Sequence, residues 1–572
     1  MFDGVGGNVT LDRKTAVRTL GEIAKLLEVR GENIHRVRAF ANASRVVERV
    51  GGDLDSMIES GEILKLKGIG RGTAAVLAEL AGGRRPQALE ELYDEIPDGV
   101  REMLTIPGLG PKKVRSLWQD LGLSSIGELE YACRENRLVD LKGFGSRTQE
   151  AVLGAIRFAR RSGERRLISE AWATLTLLEG SLKVRSGLDS VVVAGETRRF
   201  SETVGVLDLV IAAADETAAI DALKAEIPGV ERVGPGQWVG DSEDGLTLRA
   251  RVVPRTEAAA ALLWSTGSED HIEGLVGRAK SLDLDLREDG LWRGRERVEC
   301  ADEKAIYQAL GCQWVPPELR EGGAEIEMAA AGTLPHLVHP EDLLGALHNH
   351  TTDSDGSAPL EQMAGAARQR GWSFFGVADH SPAAFYANGV DATRLCDQWR
   401  RIDEFNRGGS GIRVVKGLEA DILTDGALDI PEGCEGGLEY VVASVHSVFR
   451  MSEEQQTDRL VKAVSHPACR VLGHPTGRLL LVRPGYSLDL ERVLQACAEH
   501  GVAVEINASP YRLDLDWRWA SRALELGLKL VVNPDAHSTE GLDDVRWGIS
   551  VARKAGATAE DLVNCAPIEE FL

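Results

Sequence analysis

The 572-residue sequence predicts a multidomain protein of mixed α+β and α/β class: helical domains with helix-hairpin-helix turns, a small α/β domain, and a C-terminal (β/α) barrel. Three observations carry this. A short phrase, apolar-x-Gly-apolar-Gly, occurs three times between helix-like stretches in the first 160 residues: LKGIG at 66–70, IPGLG at 106–110 and LKGFG at 141–145. From residue 335 onward, apolar strand candidates alternate with amphipathic helices. Ten of the 12 histidines fall between His336 and His537.

Bulk properties set the outer limits. This length corresponds to about four domains. Hydrophobic content of 43% and charged content of 27% suit soluble globular domains. The opening MFDGVGGNVTLDRKT has no apolar run, so no signal peptide is expected, and no stretch is apolar enough to span a bilayer. Eight scattered cysteines without a C-x-x-C point to a reducing cytoplasm. A net charge of −23 does not suggest a nucleic-acid partner, yet Leu11 to Val50 holds nine Lys/Arg against five Asp/Glu.

Helical spacing recurs in AVRTLGEIAKLLEV and GTAAVLAELA. Each glycine phrase between such helices reads as a tight turn whose backbone N–H groups, at the start of the next helix, can take a phosphate oxygen. Gly68 and Gly70, Gly108 and Gly110 with Lys112 and Lys113, and Gly143 and Gly145 are therefore candidate contacts to a DNA backbone. From about 168, SVVVAG, LDLVIAAA and LTLRARVVP read as strands and AAIDALKAEI as a helix. A helical stretch, EAAAALLWSTGSEDHIEGLVGRAKSL, follows. WVPPELREGGAEIEMAAAG then reads as an irregular crossing into the last domain.

In that last domain the predicted strands end in metal-type side chains: His348 and His350, Asp379 and His380, Glu419, His446, His474, Glu505 and Asn507, Asp535 and His537. In a (β/α) barrel the C-terminal strand ends gather on one face. His348-x-His350 and Asp535-x-His537 each put two ligands on one side of an extended chain, Asp355 in the loop TTDSDG can close on them, and Glu419 can bridge two cations. Such a mixed N/O set suits two or three divalent ions of Zn, Mn or Fe, which lower the pKa of bound water and stabilise charge on phosphate oxygens. Arg478 and Arg512 are candidates to clamp a substrate phosphate. His336, His339, His466 and His500 end no strand and read as structural or surface residues.

GETRRFSETVGVLDL, residues 195–209, has the look of a second phosphoryl-transfer site, but with one acid, Asp208, where two-metal chemistry needs at least two; the alternating position is Val206.

IPGLGPKKV, GETRRFSETVG, STGSEDH, PPELREGGAEIE, HNHTTDSDG, VADHS and EINASPYRLDL together resemble the bacterial family X DNA polymerases, along almost the whole chain. The resemblance implies five parts: a lyase-like helical domain (1–88), a fingers-like domain with two helix-hairpin-helix motifs (89–165), a nucleotidyltransferase palm (166–255), a thumb and linker (256–332) and a PHP (polymerase and histidinol phosphatase) domain (333–572). For the PHP part it implies nine ligands, His348, His350, Asp355, His380, Glu419, His446, His474, Asp535 and His537, around a trinuclear centre on a distorted seven-stranded barrel. The implied chemistry is Mn-dependent 3′→5′ exonuclease or DNA 3′-phosphatase action. His35 and Arg36 match 5′-phosphate-binding positions, whereas Val76 stands where a related branch has a Schiff-base lysine. Gly195, Arg198, Arg199, Thr266 and Gly267 match nucleotide-binding positions.

The palm departs from the family phrase. Glu196 replaces a serine, Val206 the first aspartate, and Arg249 the third carboxylate, while Thr247 and Arg251 offer no substitute. The expectation is thus a DNA-end processing enzyme with a silent polymerase site, no palm Mg²⁺, no productive dNTP binding, and gapped, nicked or 3′-ended DNA as partner. The alternatives are an active gap-filling polymerase with 3′→5′ exonuclease, a phosphatase of small phosphate esters, and a non-enzymatic scaffold. The palm carboxylates speak against the first, the glycine repeats against the second and the complete ligand set against the third. Nothing in the sequence signals an oligomeric state.

Overall fold

A computed structural model describes residues 12–50, 54–106, 108–139, 141, 144–160, 165–185, 187–242 and 245–572. The chain divides into two compact units, Met1–Arg160 and Arg161–Leu572.

The first unit is helical. Its described helices include Arg13–Arg30, Ile34–Arg49, Arg71–Ala81, Gln87–Glu95, Pro111–Gln119, Ile126–Arg134 and Ser146–Arg160. They close over one apolar core that holds Leu20, Leu27, Leu77, Leu92, Val114 and Ile156. The glycine phrases sit between helices. Gly70 caps Arg71–Ala81, Gly110 caps Pro111–Gln119, and Gly145 directly precedes Ser146–Arg160. In each phrase the apolar residue between the glycines, Ile69, Leu109 or Phe144, is buried and pins the turn. Gly70, Gly108, Gly110 and Gly145 are exposed. Gly68 and Gly108 take φ of +108° and +88°, a region that favours glycine. Gly143 lies outside the described residues.

The second unit begins with a five-stranded sheet: β1 (Leu188–Ala194), β2 (Val206–Ala213), β3 (Glu231–Gly234), β4 (Gln237–Asp241) and β5 (Thr247–Val253), in the order β1-β2-β5-β4-β3. β2 and β5 run parallel, with Asp208 opposite Arg249 and Val206 opposite Thr247. The β3–β4 hairpin was not anticipated from the sequence. The predicted single helical stretch is two helices, Ala258–Thr266 and Glu269–Ser281, broken at Gly267–Ser268 where the Ser268 side chain caps the second. A small sheet follows, β6 (Asp285–Arg287), β7 (Gly290–Arg293) and β8 (Glu296–Val298), then helix Glu303–Ala309. The crossing segment contains a seven-residue helix, Glu325–Ala331, within its irregular path.

The C-terminal part is a seven-stranded parallel sheet in sequential order: β9 (Gly345–Ala346), β10 (Phe374–Val377), β11 (Arg413–Asp421), β12 (Tyr440–Ser444), β13 (Cys469–Leu472), β14 (Ala503–Asn507) and β15 (Leu530–Asn533). Helices such as Leu360–Gln369, Ala392–Arg407, Glu453–Val464 and Leu490–His500 connect the strands. β12, β14 and β15 are buried at every residue, as expected of parallel strands covered on both faces. The ends of the sheet meet: Leu347 N donates to Asn533 Oδ1 (2.7 Å) and His350 N to Ala536 O (2.9 Å). Near-closure into a barrel brings the C-terminal ends of all seven strands around one point.

Candidate metal centre and altered palm

His348 and His350 follow β9, His380 follows β10, Glu419 lies in β11, His446 follows β12, His474 follows β13, and Asp535 and His537 follow β15. Asp355 arrives on the loop after His350. All nine predicted ligands converge. Three clusters have donor atoms within 4.8 Å of one another: His350, Asp355, His380 and His537; His348, His350 and Asp535; and His380, Glu419 and His446. Glu419 is the hub. Its oxygens lie 3.2 Å from His348 Nε2, 3.8 Å from His350 Nε2, 2.8 Å from His380 Nδ1, 3.2 Å from His446 Nε2 and 3.1 Å from His474 Nε2. His537 Nε2 is 3.2 Å from Asp355 Oδ1.

A second layer aims these rings. His348 Nδ1 bonds Glu505 Oε1 (2.7 Å), and His446 Nδ1 bonds Asp421 Oδ1 (2.5 Å), leaving both Nε2 atoms directed at Glu419. Glu505 also accepts from His474 N and Asn533 Nδ2. Asp379 is not part of the cluster. It accepts from Thr351 N, Thr351 Oγ1 and Gln398 Nε2 and so shapes the loop that delivers Asp355. Asp421 was missed from sequence, although its spacing of two from Glu419 on one strand was the available signal.

Burial and neighbouring charge split these groups. Burial drives the His350 imidazole down to about 3, assisted by His537 and His380. It lowers His474 to about 4, with Arg512 adding to the effect. Burial also opposes charge on His446, but Glu419 and Asp421 overcome it and lift that ring to about 9. Burial works against the Glu419 carboxylate too, yet His446, His348 and His380 hold it well below its ordinary range.

The residues fit a group of divalent cations. His348 Nε2, His350 Nδ1, both nitrogens of His380, Glu419 Oε2 and His474 Nδ1 are buried without a hydrogen bond. His380 Nδ1 and Glu419 Oε2 stand 2.8 Å apart without hydrogen-bond geometry, as two lone pairs facing one cation would. Buried polar atoms left unsatisfied cost roughly 1–3 kcal/mol each.

Arg512 is buried beside the cluster, its Nε 3.8 Å from Asp535 Oδ2. Arg478 does not stand with it as a phosphate clamp. Its Nε donates to Arg512 O (3.0 Å), Nη1 meets Asp516 Oδ2 (3.3 Å), and Nη2 meets Glu202 Oε1 (2.6 Å) and Leu513 O. Those carbonyls and carboxylates occupy the guanidinium, which corrects the reading of Arg478 as a substrate contact.

The palm differs in kind. Asp208 is almost fully buried, and Arg249 Nε sits 2.6 Å from its Oδ1. Burial raises the Asp208 carboxyl even so. Asp208 also packs directly on Gly195, where a Cβ would meet Oδ2 at 2.0 Å. A cleft of about 390 Å³ remains, lined by Glu196, Asp208, Arg249, Arg251, Trp264 and Ser268 among others. A cationic guanidinium already fills the place a palm metal ion needs, so this site does not fit Mg²⁺. Glu196 accepts from Gly205 N (2.9 Å) and pairs with Arg165 (3.0 Å), which partly compensates its negative charge beside the cleft.

The two arginines of GETRR are engaged in ion pairs, although Arg199 also lines the cleft. Arg198 pairs with Glu303 (2.6 Å) and bonds Thr266 Oγ1 (2.8 Å); Arg199 pairs with Glu321 (3.0 Å) and donates to Thr266 O (2.6 Å). Thr266 is fully buried, and Gly267 lines the cleft. In the helical unit, His35 and Arg36 are exposed at the start of helix Ile34–Arg49, Arg36 pairing with Glu32 (3.1 Å). Lys112 is exposed, and Lys113 Nζ donates to Gly108 O (3.1 Å). Val76 is buried.

A barrel of this topology with a histidine–carboxylate cluster at its strand ends, preceded in the sequence by helix-hairpin-helix turns and a five-stranded mixed sheet, marks the class that comparison with known proteins defines: a polymerase-type core joined to a PHP domain. Family models agree: "Helix-hairpin-helix domain" over 12–84, "SAM-like Helix-hairpin-helix tandem" over 100–157, "DNA polymerase beta thumb" over 261–321 and "PHP domain" over 346–509. The chain is 32% identical over 574 aligned residues, 98% of each chain, to the DNA polymerase/3′-5′ exonuclease PolX of Bacillus subtilis (strain 168). It belongs to the bacterial family X DNA polymerases that carry a C-terminal PHP domain. Its barrel is also similar to a probable phosphatase of Thermoanaerobacter sp. (strain X514), 30% identical over 39% of this chain and 92% of that one. The ternary complex of Leishmania infantum polymerase beta aligns at 18% identity and a TM-score of 0.25, over 39% of this chain and 98% of that chain, a likeness too weak to bear on the fold. No described helix is long and apolar enough to cross a membrane.

Proposed function

We propose that this protein is a cytoplasmic DNA-end processing enzyme. Its PHP barrel hydrolyses phosphoester bonds at 3′ ends, as exonuclease, 3′-phosphatase or both, while the palm serves as a scaffold without nucleotidyl transfer. The reading keeps the five-part division 1–88, 89–165, 166–255, 256–332 and 333–572. The observation that carries it is the convergence of six histidines and three carboxylates at the barrel strand ends, five of the imidazoles lying against Glu419, set against an Asp208 in the palm that is paired with Arg249.

Two or three divalent cations of Mn, Zn or Fe, bound by His348, His350, Asp355, His380, Glu419, His446, His474, Asp535 and His537, would supply a water of lowered pKa and neutralise charge on the phosphate. Around them the chain does the positioning. Glu505 and Asp421 fix the tautomers and directions of His348 and His446. Arg512, held rigid at the edge of the cluster, binds a non-bridging phosphate oxygen. The exposed turn glycines and Lys112 of the helical unit hold the DNA backbone, with His35 and Arg36 on a 5′ phosphate.

A second reading, hydrolysis of small phosphate esters, draws on the barrel's similarity to probable phosphatases. A third, gap-filling synthesis, draws on the relative named a DNA polymerase/3′-5′ exonuclease. One experiment separates them: end-labelled gapped DNA with Mn²⁺, with and without dNTPs. Shortening or dephosphorylation without extension is expected. Extension that Asp208→Ala abolishes would reinstate the polymerase, and inertness on DNA with turnover of small esters would favour the phosphatase.

A further inference from the structure

The segment Arg199-Phe200-Ser201-Glu202 leaves the palm's GETRR turn and runs into the barrel. Arg199 shares Glu321 with Lys554 of the barrel, and Lys554 Nζ also donates to Arg199 O (3.1 Å). Phe200 stacks on Trp172 with centroids 4.8 Å apart and tilts against Trp547 of the barrel at 6.5 Å. Glu202 reaches Arg478 at 2.6 Å, and both side chains are mostly buried.

Arg478 is the point where this contact meets the hydrolytic loops. One loop, His474 to Arg478, begins with a cluster histidine. The other, Ser509 to Asp516, carries Arg512. Asp514 stitches them by accepting from Thr476 N and Gly477 N, both at 3.0 Å. Arg478 stitches them again through its bonds to Arg512 O and Leu513 O. Glu202 completes the outer side of that guanidinium, and Asp516 is its other countercharge. Removing Glu202 leaves a buried guanidinium half-compensated, which draws it out of the two-carbonyl grip.

The geometry points to Glu202 of the palm as a positioning residue for the phosphoesterase centre, acting through Arg478 to hold Arg512 at the cluster. The palm, in which Asp208 is paired with Arg249, thereby sets the phosphate clamp of the barrel. This rests on the barrel being the hydrolytic site.

The test uses the full chain. Glu202→Ala, with Glu202→Gln as the milder variant should the first fail to fold, is compared with the parent by hydrogen exchange of the peptides spanning 474–478 and 509–516. It is also compared by Mn²⁺-dependent turnover of bis-para-nitrophenyl phosphate. Exchange in those two peptides rises about tenfold and kcat falls about tenfold, each corresponding to roughly 1.4 kcal/mol. In an Arg512→Ala background the same Glu202 substitution changes kcat less than about twofold, because the residue it positions is gone; a merely structural defect would reduce both backgrounds alike. Unchanged exchange, or equal losses in both backgrounds, overturns the assignment. A parent that turns over no phosphoester overturns the hydrolytic reading instead, and the exchange data still decide whether Glu202 holds the loops.

Discussion

The palm and the barrel each present carboxylates on parallel strands, and they have opposite electrostatic character. In the palm, register places Arg249 directly opposite Asp208, and the pair closes at 2.6 Å. In the barrel, Glu419 is surrounded by five imidazoles and has no arginine or lysine paired with it among the described residues. A guanidinium is a permanent cation that leaves no lone pair for a metal, whereas an imidazole is a neutral ligand whenever it loses its proton. The same chain therefore sets a permanent cation against one buried carboxylate and surrounds the other with imidazoles, groups that can serve as metal ligands.

The largest effect belongs to the hub. Glu419→Ala should empty more than one metal position and reduce phosphoester hydrolysis by at least about a thousandfold, equivalent to roughly 4 kcal/mol of lost transition-state stabilisation. Elemental analysis alongside the rate measurement checks this; unchanged metal content would remove Glu419 from its bridging role.

Next is the palm. The parent should incorporate no dNTP on primed template even with Mn²⁺, since Asp208 alone cannot hold two cations. Val206→Asp with Arg249→Asp and Glu196→Ser should raise extension at least about tenfold above background if the missing carboxylates are the chief defect. Primer extension by the parent would break the contrast between the two regions.

A smaller effect is expected outside both sites. Replacing Gly108 and Gly110 with valine should weaken binding to gapped DNA about tenfold and leave turnover of a small phosphoester intact; binding by the parent should fall steeply with added salt. Fluorescence anisotropy titrations at two salt concentrations measure both.

The smallest concerns stability. Arg249→Ala strands a buried Asp208, but Arg249 itself is half exposed, so the cost should be about 1 kcal/mol. A thermal melt shows it as a shift of a few degrees; no shift would mean the pair contributes nothing net.

Much of this contrast was legible from residue order. A glycine–apolar–glycine turn is a local device, so Gly68 to Gly70 and Gly108 to Gly110 could be located before any fold was known, and the structure buries Ile69 and Leu109 while exposing the glycines. The two-residue period of extended chain likewise exposed His348 with His350 and Asp535 with His537 as pairs, and barrel topology implied that strand ends 185 residues apart, such as His350 and Asp535, would meet. Asp421 was overlooked although the same period marks it.

What tertiary structure alone decided are the pairings between distant segments. Arg478 follows a cluster histidine in sequence and reads as a phosphate clamp, yet it is turned to Glu202, 276 residues away. Arg198 and Arg199 read as nucleotide contacts, and only the fold shows that Glu303 and Glu321, more than 100 residues away, pair with them. The sequence places a positive charge, Arg249, where cations would bind, but that it pairs directly with Asp208 depends on the register of β2 against β5. Local periodicity is written in neighbouring residues, but which charges cancel depends on angstrom-scale distances between segments, and those are set only when the sheets pack.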